Sequence, residues 1–302
     1  MDSTAQYYSF KNRIINGAMV IDQRNAGASV TQTVATTYVT DRFAIYGSVT
    51  SKFTAQQSTT APTGFINSLL ITSSSAYTAG TSESFYISQK IEGYNVSDLS
   101  LGNSNAKTFT LSFWVQSSLT GTFGGSFVNA AGTRSYPYSY TVNAANTWEK
   151  KTITVAGDTS GTWLTTNGVG IRLTFGLGNG STYSGTANTW ASANYQNATG
   201  ATSLVGTSGA TFYITGVQLE AGTTATPFEN RNYGVELAMC QRYYWIKRNI
   251  SAAGNQLIGN ITAYNGTHTW GKWLDLPVQQ RAAGTTAWSA YSDFGCYDAG
   301  GS

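Results

Sequence analysis

Charge is what this sequence has least of. Its 302 residues include 17 Lys and Arg and 14 Asp and Glu, 10% of the chain, where an ordinary globular domain carries about 25%. With a formal net charge of +3 and no basic run, the footprint of a nucleic-acid binder is missing, and no nucleic-acid partner is expected. Two cysteines, Cys240 and Cys296, are too few for a disulfide framework and too isolated for a zinc site, which suits synthesis in a reducing cytoplasm. The single histidine, His268, sits in Asn265-Gly-Thr-His-Thr-Trp270, which reads as a turn entering a strand with an exposed imidazole. Nucleophile-elbow, HExxH and calcium-loop motifs are absent. No catalytic residue, metal or cofactor is therefore expected. No apolar run reaches the roughly 18 residues of a membrane span, and no basic-then-apolar leader opens the sequence. Membrane insertion and a secretion signal are not expected.

What is present is glycine, hydroxyl and aromatic side chains: 33 Gly and 13% aromatics, a composition for many short strands joined by tight turns. Period-2 alternation dominates. Phe109, Leu111, Phe113 and Val115 share one face of a strand and Trp114 takes the other; Val169, Ile171, Leu173, Phe175 and Leu177 repeat the pattern. So do Tyr136, Tyr138, Tyr140 and Val142, with Pro137 marking an edge strand. Further strands are predicted at 41–49, 66–72, 83–92, 149–156 and 211–220, about eight in all, as a jelly roll needs. In the last one, Phe212 and Ile214 are one residue out of phase with Val217 and Leu219, which places a β-bulge at Thr215-Gly216. Residues 54–64, 117–134, 143–148, 157–167 and 178–208 read as long polar loops.

The expected fold is an all-β jelly-roll sandwich with an N-terminal arm and a small β-rich C-terminal tip. Residues 1–30 form the arm, 31–231 the sandwich, and 232–302 a short helical connector with a Trp-rich module. The first 25 residues fit two readings, an arm that orders against a partner or a lead-in to the first strand. In Gly234–Arg242, Val235, Ala238 and Met239 define the apolar stripe of a helix. Residues 243–302 hold four of the eight Trp: Trp245, Trp270, Trp273 and Trp288. A segment that small and apolar commonly gains its core by oligomerising.

Sugars present apolar C–H faces, so a binding sandwich stacks them on aromatic rings and fixes their hydroxyls with amides or charged groups. Candidates are Trp163 and Trp190 first, then Trp114, Trp148, Tyr183 and Tyr195, with Trp270, Trp273 and Trp288 in the tip. Burial against a neighbouring loop or subunit is the competing reading for each Trp. A polysaccharide depolymerase would instead need two carboxylates flanking the bond it cuts. Glu220 and Glu229, on either side of the Ala221–Phe228 seam, are the pair that could meet; pairing with Arg231 or loop capping is the plainer expectation for them.

NRIINGAMVIDQRNAGAS (12–29), Asp41-Arg-Phe, TFTLSFWVQSSLTG (108–121), NTWEKKTITVAGDTSGTW (146–163) and GVQLEAGTTATPFENRNYGVELAMCQRYY (216–244) resemble the jelly-roll segment of bacteriophage tail-fibre and tail-tip proteins. The resemblance covers roughly residues 10–245. It implies a fold like carbohydrate-binding modules, a homotrimer on the virion tail, contact with other phage tail proteins, and adsorption to bacterial surface polysaccharide or lipopolysaccharide. It implies no enzyme and carries over no binding residue. A depolymerase tailspike and a purely structural tail or head decoration are the alternatives.

Overall fold

The structure, a computed structural model, describes residues 10–246, 261–265, 268–271 and 276–282. It divides into two units, Met1–Cys240 and Gln241–Ser302. In chain order the first unit contains β1 (Val30–Thr31), β2 (Thr37–Thr40), β3 (Phe43–Gly47), β4 (Phe53–Ser58), β5 (Ser68–Ser73) and β6 (Ser84–Glu92). There follow β7 (Phe109–Ser117), β8 (Gly121–Val128), β9 (Ser135–Val142), β10 (Glu149–Val155) and β11 (Val169–Asn179). Two short strands, β12 (Ser184–Gly185) and β13 (Asn197–Ala198), precede β14 (Thr211–Ala221) and the helix α1 (Tyr233–Gln241).

Two six-stranded antiparallel sheets result, β1-β4-β5-β14-β7-β10 (sheet I) and β2-β3-β6-β11-β8-β9 (sheet II). The chain passes from one sheet to the other repeatedly, between β5, β6 and β7 and again between β9, β10 and β11, which is jelly-roll connectivity. Alternation puts Phe109, Leu111, Phe113 and Val115 of sheet I against Ile171, Leu173, Phe175 and Leu177 of sheet II, all fully buried. Phe113 meets Phe175 and Tyr140 edge-on at 5.1 and 5.0 Å, the favoured aromatic geometry. Each such Phe stabilises the sandwich by roughly 1.5–3 kcal/mol through burial.

Pro137 lies in β9, the edge strand, as its missing N–H requires. The β14 register against β7 slips between Thr215 and Gln218, and Gly216 at the slip has φ +61°, so the predicted bulge is present. A Cβ there would also crowd the Phe65 ring at 2.6 Å. Two predicted loops are corrected to strands. Within 54–64 lies most of β4, whose inward residues are Phe53 and small Ala55. Within 117–134 lies β8, whose Gly125 is small because the Tyr138 ring and the Thr174 carbonyl press against it. The strand predicted at 41–49 is shorter, because Asp41-Arg42 is the turn joining β2 to β3, with Arg42 at φ +72°.

Of the two readings of the amino-terminal piece, residues 10–31 follow the lead-in. Ile14, Met19 and Ile21 are buried in the sandwich core, and Val30–Thr31 is the first strand. This lead-in runs against β14: Arg13 N–H donates to Leu219 O (2.8 Å) and Val217 N–H to Gly17 O (3.0 Å). The Asn12 side chain joins the two, donating to Val217 O and accepting from Leu219 N–H, and it also accepts from Ile14 N–H. Gly17 is required at this crossing, since a Cβ would overlap the Val217 carbonyl. The predicted boundary after Arg231 is the start of a tie rather than a break. Arg231 donates to Ile14 O and Asn12 O and pairs with Glu229 and Glu236. Accordingly α1 buries Glu236 and Cys240, not the Val235, Ala238 and Met239 stripe; Glu236 is drawn inward by the Asn16 N–H and Arg231. Phe228 packs edge-on against Phe65 at 5.1 Å, which pins the seam.

The second unit contains an antiparallel strand pair, β15 (Ile261–Asn265) and β16 (His268–Gly271), so His268 opens a strand. Trp270 lies in β16 opposite Thr262. Trp273, Trp288, Cys296 and residues 1–9 of the expected arm lie outside the described residues.

Candidate functional site

The two Trp ranked first for sugar binding form a clamp instead. Trp163 is 8% exposed and its indole N–H donates to Ser160 O (3.1 Å). Trp190, half-buried, donates its own to Ala156 O (2.8 Å). Their rings meet edge-on at 5.5 Å, and Trp190 also packs on Tyr136 at 5.0 Å. Beside them Arg134 grips buried Asp158 with two 2.7 Å hydrogen bonds. Trp163 is thereby corrected from a sugar platform to a fastening for the 156–163 loop, because protein covers its faces.

Trp114 and Trp148 come together on the outer face of sheet I. Leu69, Phe212 and Val115 point into the core, so their neighbours Leu70, Tyr213 and Gln116 point outward. Register aligns these neighbours in one row: Gln56 opposite Leu70, Leu70 opposite Tyr213, and Tyr213 opposite Gln116. Trp148, just before β10, reaches Tyr213 edge-on, with centroids 6.1 Å apart at 64°. Two residues along β7 from Gln116, Trp114 lies between Thr215 and Lys150 on the adjacent strands. All these side chains except the exposed Lys150 are half-buried or better, a strip of rings and amides continuous across four strands. The Gln116 amide donates to Asn146 O (2.6 Å), while its own carbonyl oxygen is buried without a protein partner. Phe65 and Phe228 close one end of the strip.

The turn that carries Trp148 is held by Glu149. Its carboxylate accepts from Asn143 N–H (2.7 Å), Ala144 N–H (3.0 Å), the Asn143 amide (2.7 Å) and Lys151 Nζ (2.5 Å). Partial burial opposes the charge, but the Lys151, Ala144 and Asn143 hydrogen bonds outweigh it and bring the carboxyl from 4.5 down to about 2. A pKa depressed on folding adds stability that is complete above pH 4.5 and is lost as pH falls through about 2. Wild type is therefore expected to exceed Glu149→Gln in chemical-denaturation stability at pH 7, with the gap closing toward pH 2. A gap that stays constant over that range would contradict the assignment.

Tyr183 and Tyr195 lie on the other side of the sandwich, in the segment that folds over sheet II. Asn197 from this segment covers Gly124 and Gly176, and the Tyr195 ring fills the space a Cβ would need at Gly185. Tyr183 ends a short 3-10 turn whose carbonyl accepts from Gln196 N–H (2.8 Å). The seam carboxylates follow the plainer expectation. Glu229 pairs with Arg231 (3.0 Å) and accepts from Asn12 N–H (2.9 Å), and Glu220 accepts from Thr226 N–H (2.9 Å) and the Gln218 amide (2.9 Å).

Tyr213, Leu70, Gln56 and Gln116 were missed as site residues. Tyr213 was findable, because Phe212 and Ile214 point inward and the residue between them must point out.

No protein-family model and no curated protein matches the sequence. Among solved structures, the chain is similar to the enzymatically active domain of bacteriophage CBA120 tailspike protein 4, at 13% identity and a TM-score of 0.36. That likeness covers 71% of this chain and spans only 22% of the tailspike domain. A CBM4 carbohydrate-binding module is similar at 15% identity and a TM-score of 0.36, over 68% of this chain and 98% of the module. A family 11 carbohydrate-binding module of a Clostridium thermocellum cellulosomal cellulase is similar at 13% identity and a TM-score of 0.33, over 66% and 98%. Likenesses this distant do not bear on what the chain binds.

Proposed function

We propose that this chain is a non-enzymatic bacteriophage tail fibre that attaches to bacterial surface glycan through the outer face of sheet I. The observation that carries the glycan reading is the strip Gln56–Leu70–Tyr213–Gln116 with Trp148 and Trp114 beside it. Rings supply apolar area for sugar C–H faces, and two Gln amides and Lys150 supply donors for hydroxyls. The attachment reading is supported by the two most specific strings of the tail-fibre resemblance. NRIINGAMVIDQRNAGAS (12–29) and GVQLEAGTTATPFENRNYGVELAMCQRYY (216–244), far apart in sequence, are joined by the Asn12, Gly17, Arg231 and Glu236 contacts into one structural device. On the virion the fibre is a homotrimer that docks to other tail proteins.

Fluorescently labelled full chain is expected to stain susceptible bacterial strains and spare resistant ones, and to show the light-scattering mass of three chains. Failure to stain any host strain while still docking to tails would replace attachment with a purely structural role. New reducing ends released from host capsule or lipopolysaccharide would replace it with a depolymerase.

A further inference from the structure

Sheet II carries an arrangement that the fold does not need. Arg172 of β11 and Lys90 of β6 are direct cross-strand partners, so their side chains stand on the same outer face. Like charges placed opposite each other destabilise a sheet. Among the described residues neither makes an ion pair. Two residues along β6 from Lys90 is Ser88, opposite Ala44 and Thr174, all three buried and small. Beyond that step, Tyr46 and Tyr86 are again direct partners, with rings stacked at 5.2 Å and 28°. The outer face thus carries a tyrosine pair at one end and a cation pair at the other, and between them buried small side chains, of which Thr174 donates its hydroxyl to Gln196 O (2.8 Å).

The cation end is already polar. Arg172 Nη2 donates to Asn194 Oδ1 (3.1 Å), and the Gln196 amide donates to the same oxygen (2.5 Å). Arg172 Nε and Gln196 Oε1 are left buried without protein partners, and Gln196 is 2% exposed. Buried polar atoms without partners are uncommon in folded proteins. Besides its burial, the Tyr86 phenol is acted on by Arg172 and by the phenols of Tyr46 and Tyr183.

We infer that the Tyr46–Tyr86 and Lys90–Arg172 pairs together form a second binding site, on the sheet opposite the Trp148 strip, for a saccharide that carries a carboxylate or phosphate. The sugar ring stacks on Tyr46 and Tyr86, and the anion bridges Arg172 and Lys90, relieving their repulsion. A planar guanidinium beside an ammonium suits either oxyanion. The cost of placing two cations together is what the ligand offsets.

The test titrates the full chain with oligogalacturonate, with its neutral methyl ester, and with mannose 6-phosphate. Oligogalacturonate or mannose 6-phosphate is expected to bind, and which of them binds tells carboxylate from phosphate recognition. The methyl ester should bind at least about tenfold more weakly than oligogalacturonate if the carboxylate is what is read. Lys90→Gln and Arg172→Gln should each cut anion affinity about tenfold and flatten its salt dependence. Lys90→Glu should abolish anion binding while raising the thermal midpoint, because it turns a repulsive cross-strand pair into an attractive one. Tyr213→Ala, on the other sheet, should leave anion binding unchanged, which separates this site from the sheet I reading. Absence of binding to both anionic probes would overturn the inference. So would equal affinity for oligogalacturonate and its methyl ester without mannose 6-phosphate binding, or anion affinity indifferent to both Gln substitutions.

Discussion

Arg231→Met is expected to lose about 3–5 kcal/mol of unfolding free energy, the usual cost of removing one partner from a buried ionic network. The Arg231 side chain is 5% exposed and serves two carboxylates and two backbone carbonyls at once. Without it, Glu229 and Glu236 remain side by side in a poorly hydrated place, and the carbonyls of Asn12 and Ile14 lose donors. The lead-in then keeps its backbone pairing to β14, the Asn12 and Gln89 side-chain hydrogen bonds and its buried Ile14, Met19 and Ile21, but loses the cation that joins it to the 229–236 segment. Adding Glu229→Gln and Glu236→Gln to the Met variant should recover part of the loss, since the stranded charges go with them. Urea unfolding measures both variants. A loss below about 1 kcal/mol for Arg231→Met would show that the network is solvated and dispensable.

Tyr213→Ala and Trp148→Ala are each expected to weaken glycan binding by about 2 kcal/mol, roughly 30-fold, as central aromatic anchors do. Both rings stand on the outer face, so the core and the sheet register survive their loss. Because the two rings touch, the double variant should lose less than the sum of the single losses. Titration with polysaccharide from a susceptible strain, alongside a thermal melt for each variant, separates binding from folding. Unchanged affinity in both single variants would remove the sheet I strip as the site.

Much of this fold was legible because alternation is strong wherever large apolar residues fill the inward positions, as in Phe109–Val115 and Val169–Leu177. The bulge at Gly216 and the edge position of Pro137 were readable for the same kind of reason, a phase slip in one case and a missing donor in the other. Strands β4 and β8 were not, because Ala55 is small and Gly124 and Gly125 occupy places where Asn197 and Tyr138 leave no room, and small residues carry no hydrophobic period. The helix was found but its buried face was misread. Glu236 is held inward by a hydrogen bond from Asn16, 220 residues away in sequence, and no local pattern reports such a contact. The site was half legible. Trp114 was placed on an outer face by alternation alone, whereas the 143–148 turn that delivers Trp148 to Tyr213 depends on Glu149. The fate of Trp163 turned on the carbonyl of Ser160 and the ring of Trp190, contacts made by loops whose paths the sequence does not show.

The most direct test is to follow the indole N–H resonances of the sandwich by NMR during a titration with host surface polysaccharide. Trp148 and Trp114 are predicted to shift. Trp163 and Trp190, whose indole N–H groups are already bonded to Ser160 O and Ala156 O, are predicted to stay in place. Shifts confined to Trp163 and Trp190, with Trp148 and Trp114 unmoved at saturation, would contradict the assignment of glycan binding to sheet I.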